Sequence, residues 1–169
     1  CEQGQYTSTP TQADNEECQQ CASGRYVTTT GATTCFTCPT GFYQDELGAP
    51  ACKVCTIGKY QNISGLVMCH LCPKGRFSNQ VGSTNCNKCP TGWKADNVEL
   101  TKCTACIKGR FADKEASDKC SNCVPGQYST ITGTTECIHC AAGQYQTQEG
   151  KGNCEKCETG KHLISTGGS

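Results

Sequence analysis

Residues 21–38 read CASGRYVTTTGATTCFTC, and the remainder of the chain is built from copies of this phrase. Cysteines come in C-x2-C steps at Cys18/Cys21, Cys35/Cys38, Cys52/Cys55, Cys69/Cys72, Cys86/Cys89, Cys103/Cys106, Cys120/Cys123, Cys137/Cys140 and Cys154/Cys157, each step starting 17 residues after the last. Nine steps without a slip of phase describe one small unit copied end to end. A fixed short period is the mark of a linear repeat array.

The second cysteine of each step opens a unit and the first cysteine of the next step closes it. A glycine stands three residues after every opening cysteine, as at Gly24, Gly41 and Gly58. Two residues further an aromatic usually follows: Tyr26, Tyr43, Tyr60, Phe77, Phe111, Tyr128 and Tyr145. Lys94 and His162 interrupt that run, and Trp93 is expected to fill the space beside Lys94. Five residues beyond the aromatic slot comes a second glycine, at Gly31, Gly48, Gly65, Gly82, Gly133, Gly150 and Gly167, with Glu99 and Ala116 as departures. Cys1 is followed by Gly4 and Tyr6 at the same offsets, so it opens a unit that is three residues longer and carries Pro10. The expected organisation is one continuous array over residues 1–169, with units 1–20, 21–37, 38–54, 55–71, 72–88, 89–105, 106–122, 123–139 and 140–156 and a partial unit 157–169.

Only 21 of 169 residues are Leu, Ile, Val or Phe. A conventional core is out of reach, so covalent closure is expected to hold the fold. C-x2-C-x13-C-x2-C lies near zinc-ribbon spacing, but an array of zinc sites would alternate short and long gaps, and here every gap after Cys21 is equal. A redox dithiol would want one electrostatic setting, whereas the residues between the two cysteines differ in every copy. Disulfides are the better reading. A bond across C-x2-C constrains little; a bond from an opening to its closing cysteine closes a 15-residue loop, worth about 3 kcal/mol in the chain-entropy account. The expected pairs are Cys1–Cys18, Cys21–Cys35, Cys38–Cys52, Cys55–Cys69, Cys72–Cys86, Cys89–Cys103, Cys106–Cys120, Cys123–Cys137 and Cys140–Cys154. Cys157 is left over, its partner falling beyond the last residue, so the chain reads as a window on a longer array. Such bonds persist in oxidising surroundings, which predicts an extracellular protein, secreted or at the cell surface.

The expected fold class is small, disulfide-rich and all-β with almost no helix: about ten disulfide-closed hairpins in an elongated rod. The glycine after each opening cysteine reads as a turn, the aromatic as a lid over the disulfide, and the Thr, Ser, Gly, Asp and Asn that follow as a tight reversal. Isolated hairpins are marginal in water, so cross-links and stacking on neighbours must supply the difference.

The phrase Cys21–Gly24–Tyr26–Cys35 and its copies resemble the ephrin-receptor-like cysteine-rich repeat and the first small module of tumour-necrosis-factor receptor domains. Lys94, Glu99, Ala116 and His162 depart from it. The resemblance implies a structural unit that occurs in receptors, in adhesion proteins and, in long arrays, in surface coats and flagellar hairs of protists and algae. The alternating second module of those receptors is not visible, which favours the long-array members.

No catalytic constellation is read, and no cofactor or metal site. His70 and His139 sit inside C-x2-C steps, where an exposed linker residue is the plain reading. The glycines follow the repeat rather than a phosphate loop, and the basic residues form no nucleic-acid stripe with interleaved aromatics. No apolar stretch is long enough to span a membrane. Asn62-Ile63-Ser64 is an N-glycosylation sequon. Thr28, Thr29, Thr30, Thr33, Thr34, Thr130, Thr132, Thr134 and Thr135 are candidates for O-linked sugar. Net charge is zero, yet residues 1–50 carry one basic and six acidic residues, and 51–125 carry eleven basic and five acidic. A rod with an acidic end and a basic middle suits staggered association. The function expected is a structural spacer in a filament or coat, partnered by itself or by other coat proteins. The rival is a receptor or adhesion ectodomain that binds a protein ligand, with Pro10 and Trp93–Lys94 as candidate contact points.

Overall fold

The structure is a computed structural model that describes residues 1–8, 17–158 and 160. Every regular element among them is a strand of two residues, and the strands pair antiparallel in nine two-stranded sheets, one per repeat. In the third repeat Phe42–Tyr43 lies against Lys53–Val54, with Phe42 opposite Val54 and Tyr43 opposite Lys53. The first strand of each pair follows a tight turn, and the second is confined between two cysteines, as Lys53–Val54 is between Cys52 and Cys55. The Phe42 amide donates to the Pro39 carbonyl at 3.1 Å and closes a tight turn, with Gly41 at φ 82° as its third residue. That is type II geometry, which needs a positive φ at this point.

Nine disulfides close the nine hairpins: Cys1–Cys18, Cys21–Cys35, Cys38–Cys52, Cys55–Cys69, Cys72–Cys86, Cys89–Cys103, Cys106–Cys120, Cys123–Cys137 and Cys140–Cys154. Among the described residues Cys157 is the free cysteine, half-buried.

The interior differs from the lid-over-disulfide picture in one respect. The aromatic slot is only half-buried, while the residue that follows it is buried in each of the nine described hairpins: Thr7, Val27, Gln44, Gln61, Ser78, Ala95, Ala112, Ser129 and Gln146. Alternation along an extended chain explains it, because successive side chains point to opposite faces. The aromatic turns outward across the ladder, as Tyr26 does on Phe36 at 6.1 Å between ring centroids. What Tyr6 covers is the disulfide of the following hairpin: it packs on the buried cluster Cys21, Val27 and Cys35.

The inward slot is chemically mixed, and each occupant solves its burial differently. Gln61 donates from Nε2 to the Met68 carbonyl and accepts at Oε1 from the Ile63 amide at 3.2 Å. Gln44 and Gln146 make the same clamp, on Ala51 and Glu46 and on Asn153 and Gln148. Ser78 and Ser129 donate instead to the carbonyls of Gln80 and Ile131. Ala95, Ala112 and Val27 have nothing to satisfy. No buried side-chain polar atom among the described residues lacks a partner, as burial without penalty requires.

Contacts divide the chain into two compact bodies, Cys1–Cys72 with Ser78–Cys86 and Pro73–Phe77 with Asn87–Ser169. In the first body, the third repeat joins the fourth by three backbone hydrogen bonds: Gly41 N–H to the Gln61 carbonyl at 2.8 Å, Gln44 N–H to the Leu66 carbonyl at 3.2 Å, and Gly65 N–H to the Cys38 carbonyl at 2.8 Å. In the second body, the sixth and seventh repeats repeat the pattern: Gly92 N–H to Ala112, Ala95 N–H to Ser117 and Ala116 N–H to Cys89. Contact also reaches the repeat after next. Gly41 lies so close to the Gly82 carbonyl that a Cβ on Gly41 would overlap it, and Gly92 stands in the same relation to Gly133. In the second body Lys88 meets Glu115 at 3.3 Å across the same span. These close approaches supply the neighbour support that a lone hairpin lacks.

Candidate functional site

Two clefts of this molecule occupy equivalent places in the repeat. One, of about 190 Å³, is lined by Tyr43, Val54, Lys59 and Met68 with Thr56 and Cys69. Another, of about 360 Å³, is lined by Tyr6, Gln20, Arg25 and Thr34 with Ala22 and Cys35. The two sets occupy the same slots: an aromatic and a second-strand residue from one hairpin, and a turn residue, a first-strand cation and the closing cysteine from the next. Each is an open notch that stacking leaves between consecutive hairpins. An aromatic edge beside a cation suits contact with another surface. It brings together no nucleophile, base and oxyanion donors.

The other candidate residues are dispersed. His70 is exposed and lies on Tyr60 at 5.7 Å, and His139 is exposed beside Gln127 at 3.2 Å. Pro10 and His162 lie outside the described residues. Among the described residues, no three His, Cys, Asp or Glu side chains gather to hold a metal ion. Nor is any helix there long and apolar enough to cross a membrane. Asn62 and Ser64 are both exposed in the reversal of the fourth hairpin. Thr28, Thr29, Thr30, Thr33, Thr34, Thr130, Thr132 and Thr135 are exposed, and Thr134 is half-buried with its hydroxyl donating to the Glu136 carbonyl at 2.8 Å.

Trp93 does not take the place of the missing aromatic. It remains on the strand, 40% exposed. Lys94 occupies the aromatic slot with its stem and ends on Asp96 at 2.7 Å, as a long amphipathic side chain can. The hydrogen bond from Lys94 holds the Asp96 carboxyl below its ordinary range. In the third repeat Lys53 bridges Asp45 at 2.7 Å and Glu46 at 2.8 Å. That contact lowers the Asp45 pKa and raises that of Lys53. Tyr145 is raised by its hydrogen bond to Glu155 opposite. These are exposed pairs, typical of surface trim.

Three stretches of the chain, residues 24–65, 58–98 and 126–169, match the family described as tyrosine-protein kinase ephrin type A/B receptor-like. No curated protein matches the chain.

Proposed function

Since the chain belongs to the ephrin type A/B receptor-like family, we propose that it is a segment of an extracellular structural spacer, a repeating part of a surface filament or coat. Its disulfides and its family point to an extracellular or cell-surface setting. The observation that carries the finer reading is where the interior is used. The opening cysteines from Cys21 to Cys140, the turn glycines from Gly4 to Gly126 and the inward slots are buried, and they serve contact from repeat to repeat. Length is then added one closed hairpin at a time, each protected by its own disulfide. The work is mechanical and non-enzymatic, and the array is continuous from end to end.

Electron microscopy of material from the native source tests this. Ordered fibres or sheets in which the chain repeats at regular spacing are the expected result. Isolated molecules, each bound to a different protein, would overturn it in favour of a ligand-binding ectodomain. Exposed Trp93 and the notches between hairpins are what such a ligand would use.

A further inference from the structure

Exposed apolar side chains are unevenly shared among the repeats. In the fourth repeat Ile57, Ile63, Val67, Met68 and Leu71 all stand 40–60% exposed, and no other repeat has more than three such residues among those described. A concentration of this kind on a small hairpin calls for a cover. The same hairpin carries the sequon Asn62-Ile63-Ser64 in its reversal.

We propose that Asn62 carries an N-linked glycan and that this sugar covers exposed apolar side chains of the fourth repeat. Gln61 sets the geometry. It is fully buried, and its side-chain amide bridges the loop from the Met68 carbonyl to the Ile63 amide. The clamp is buried, whereas the next residue, Asn62, is exposed, as are Ile63 and Met68, whose backbone groups the clamp ties together. The first sugars would thus start from the reversal that Ile63 shares and that the clamp ties to Met68. The transfer needs a lipid-linked oligosaccharide diphosphate as donor. The Asn62 amide nitrogen forms a bond to the anomeric carbon, the carbon–oxygen bond to the diphosphate breaks, the amide loses one proton, and the lipid diphosphate leaves. A glycan is bulky and solubilising, which suits an apolar hairpin in an exposed array. The proposal rests on passage through a secretory compartment and stands independently of the spacer reading.

The test is to secrete the chain from a eukaryotic host and map its peptides by mass spectrometry before and after enzymatic release of N-glycans. Wild type and Ser64→Thr should show Asn62 converted to Asp on release; Asn62→Gln and Ser64→Ala should show no glycan. Unmodified Asn62 in a secreted chain with nine disulfides intact would overturn the site alone. Retention with reduced cysteines would remove the extracellular setting and the site together. For the cover, the folded wild-type protein is compared with its enzymatically deglycosylated form for binding of anilinonaphthalene sulfonate. A several-fold rise in fluorescence is expected; equal binding would overturn the covering role.

Discussion

Two glycine slots in each hairpin share the same backbone conformation and differ in what surrounds them. The turn glycine of the third repeat, Gly41, has φ 82°, and the loop glycine of the fifth, Gly82, has φ 68°. They face each other across two repeats. A Cβ on Gly41 would overlap the Gly82 carbonyl, whereas a Cβ on Gly82 would meet Val54 Cγ2 at an ordinary 3.4 Å. The chain itself reflects the difference. Every turn slot is glycine, though a second backbone crowds Gly4, Gly24, Gly41, Gly75, Gly92 and Gly109 and not Gly143 or Gly160, while the loop slot accepts Glu99 at φ 62° and Ala116 at φ 57°. A positive φ makes glycine preferable; at Gly41 the close approach of a second backbone makes it obligatory.

The largest effect expected is therefore at the turn. Gly41→Ala adds left-handed strain to a steric clash and should destabilise by about 2–5 kcal/mol. Gly82→Ala, with strain alone, should cost about 1–2 kcal/mol. Denaturant unfolding with disulfides intact checks both, and equal losses would break the comparison. Next comes the partner of the turn amide. Gly41 donates to the Gln61 carbonyl, and Gly92 makes the same bond to Ala112, where the side chain is a methyl group. Gln61→Ala should thus keep the stacking bonds and lose only the clamp, at about 1–3 kcal/mol for buried groups left unpaired. Hydrogen exchange should show the Ile63 amide deprotected and the Gly41 amide unchanged.

Ala116→Gly works in the opposite direction. It relieves the strain of a side chain at positive φ and should stabilise by about 1 kcal/mol, read as a higher unfolding midpoint. No gain would mean that φ is not what limits the loop slot. The smallest effect is at the loop that holds Gly48. Lys53 lowers the Asp45 pKa by hydrogen bonding from its value of 3.8. A depressed carboxyl contributes stability above its unfolded pKa and loses it as pH falls through the folded value. Lys53→Met should leave stability at pH 7 nearly unchanged and weaken the acid dependence below about pH 4. Salt should erase even that difference, as titration of the unfolding midpoint at low and high ionic strength will show.

Much of the fold was legible in the residues, and the unread part has a common cause. Cys38 and Gly41 mark hairpin and turn by type and spacing, whereas Tyr43, read as a lid over its own disulfide, is only half-buried. The inward slot left no such trace. Gln61, Ser78 and Ala95 occupy one buried place, yet as letters they read as a polar reversal, because each meets the demand of burial by a different device. Trp93 shows the opposite failure. An aromatic one position from its slot points to the other face of the strand and cannot fill the gap. Lys94 fills it instead, since a long aliphatic stem covers surface while its charge reaches Asp96. For the candidate site, the sequon at Asn62 was visible, and the exposure of Ile63, Val67 and Met68 in the same hairpin was not.

Periodic cysteines and glycines by themselves determined that this chain is a series of closed hairpins, because ring closure and left-handed turns depend on residue type over a short span. Only the tertiary structure decided how one hairpin meets the next and the one after. Those junctions run through main-chain amides and carbonyls, as between Gly65 and Cys38. Every residue but proline carries both groups. The letters record such a junction only where a side chain would stand in its way.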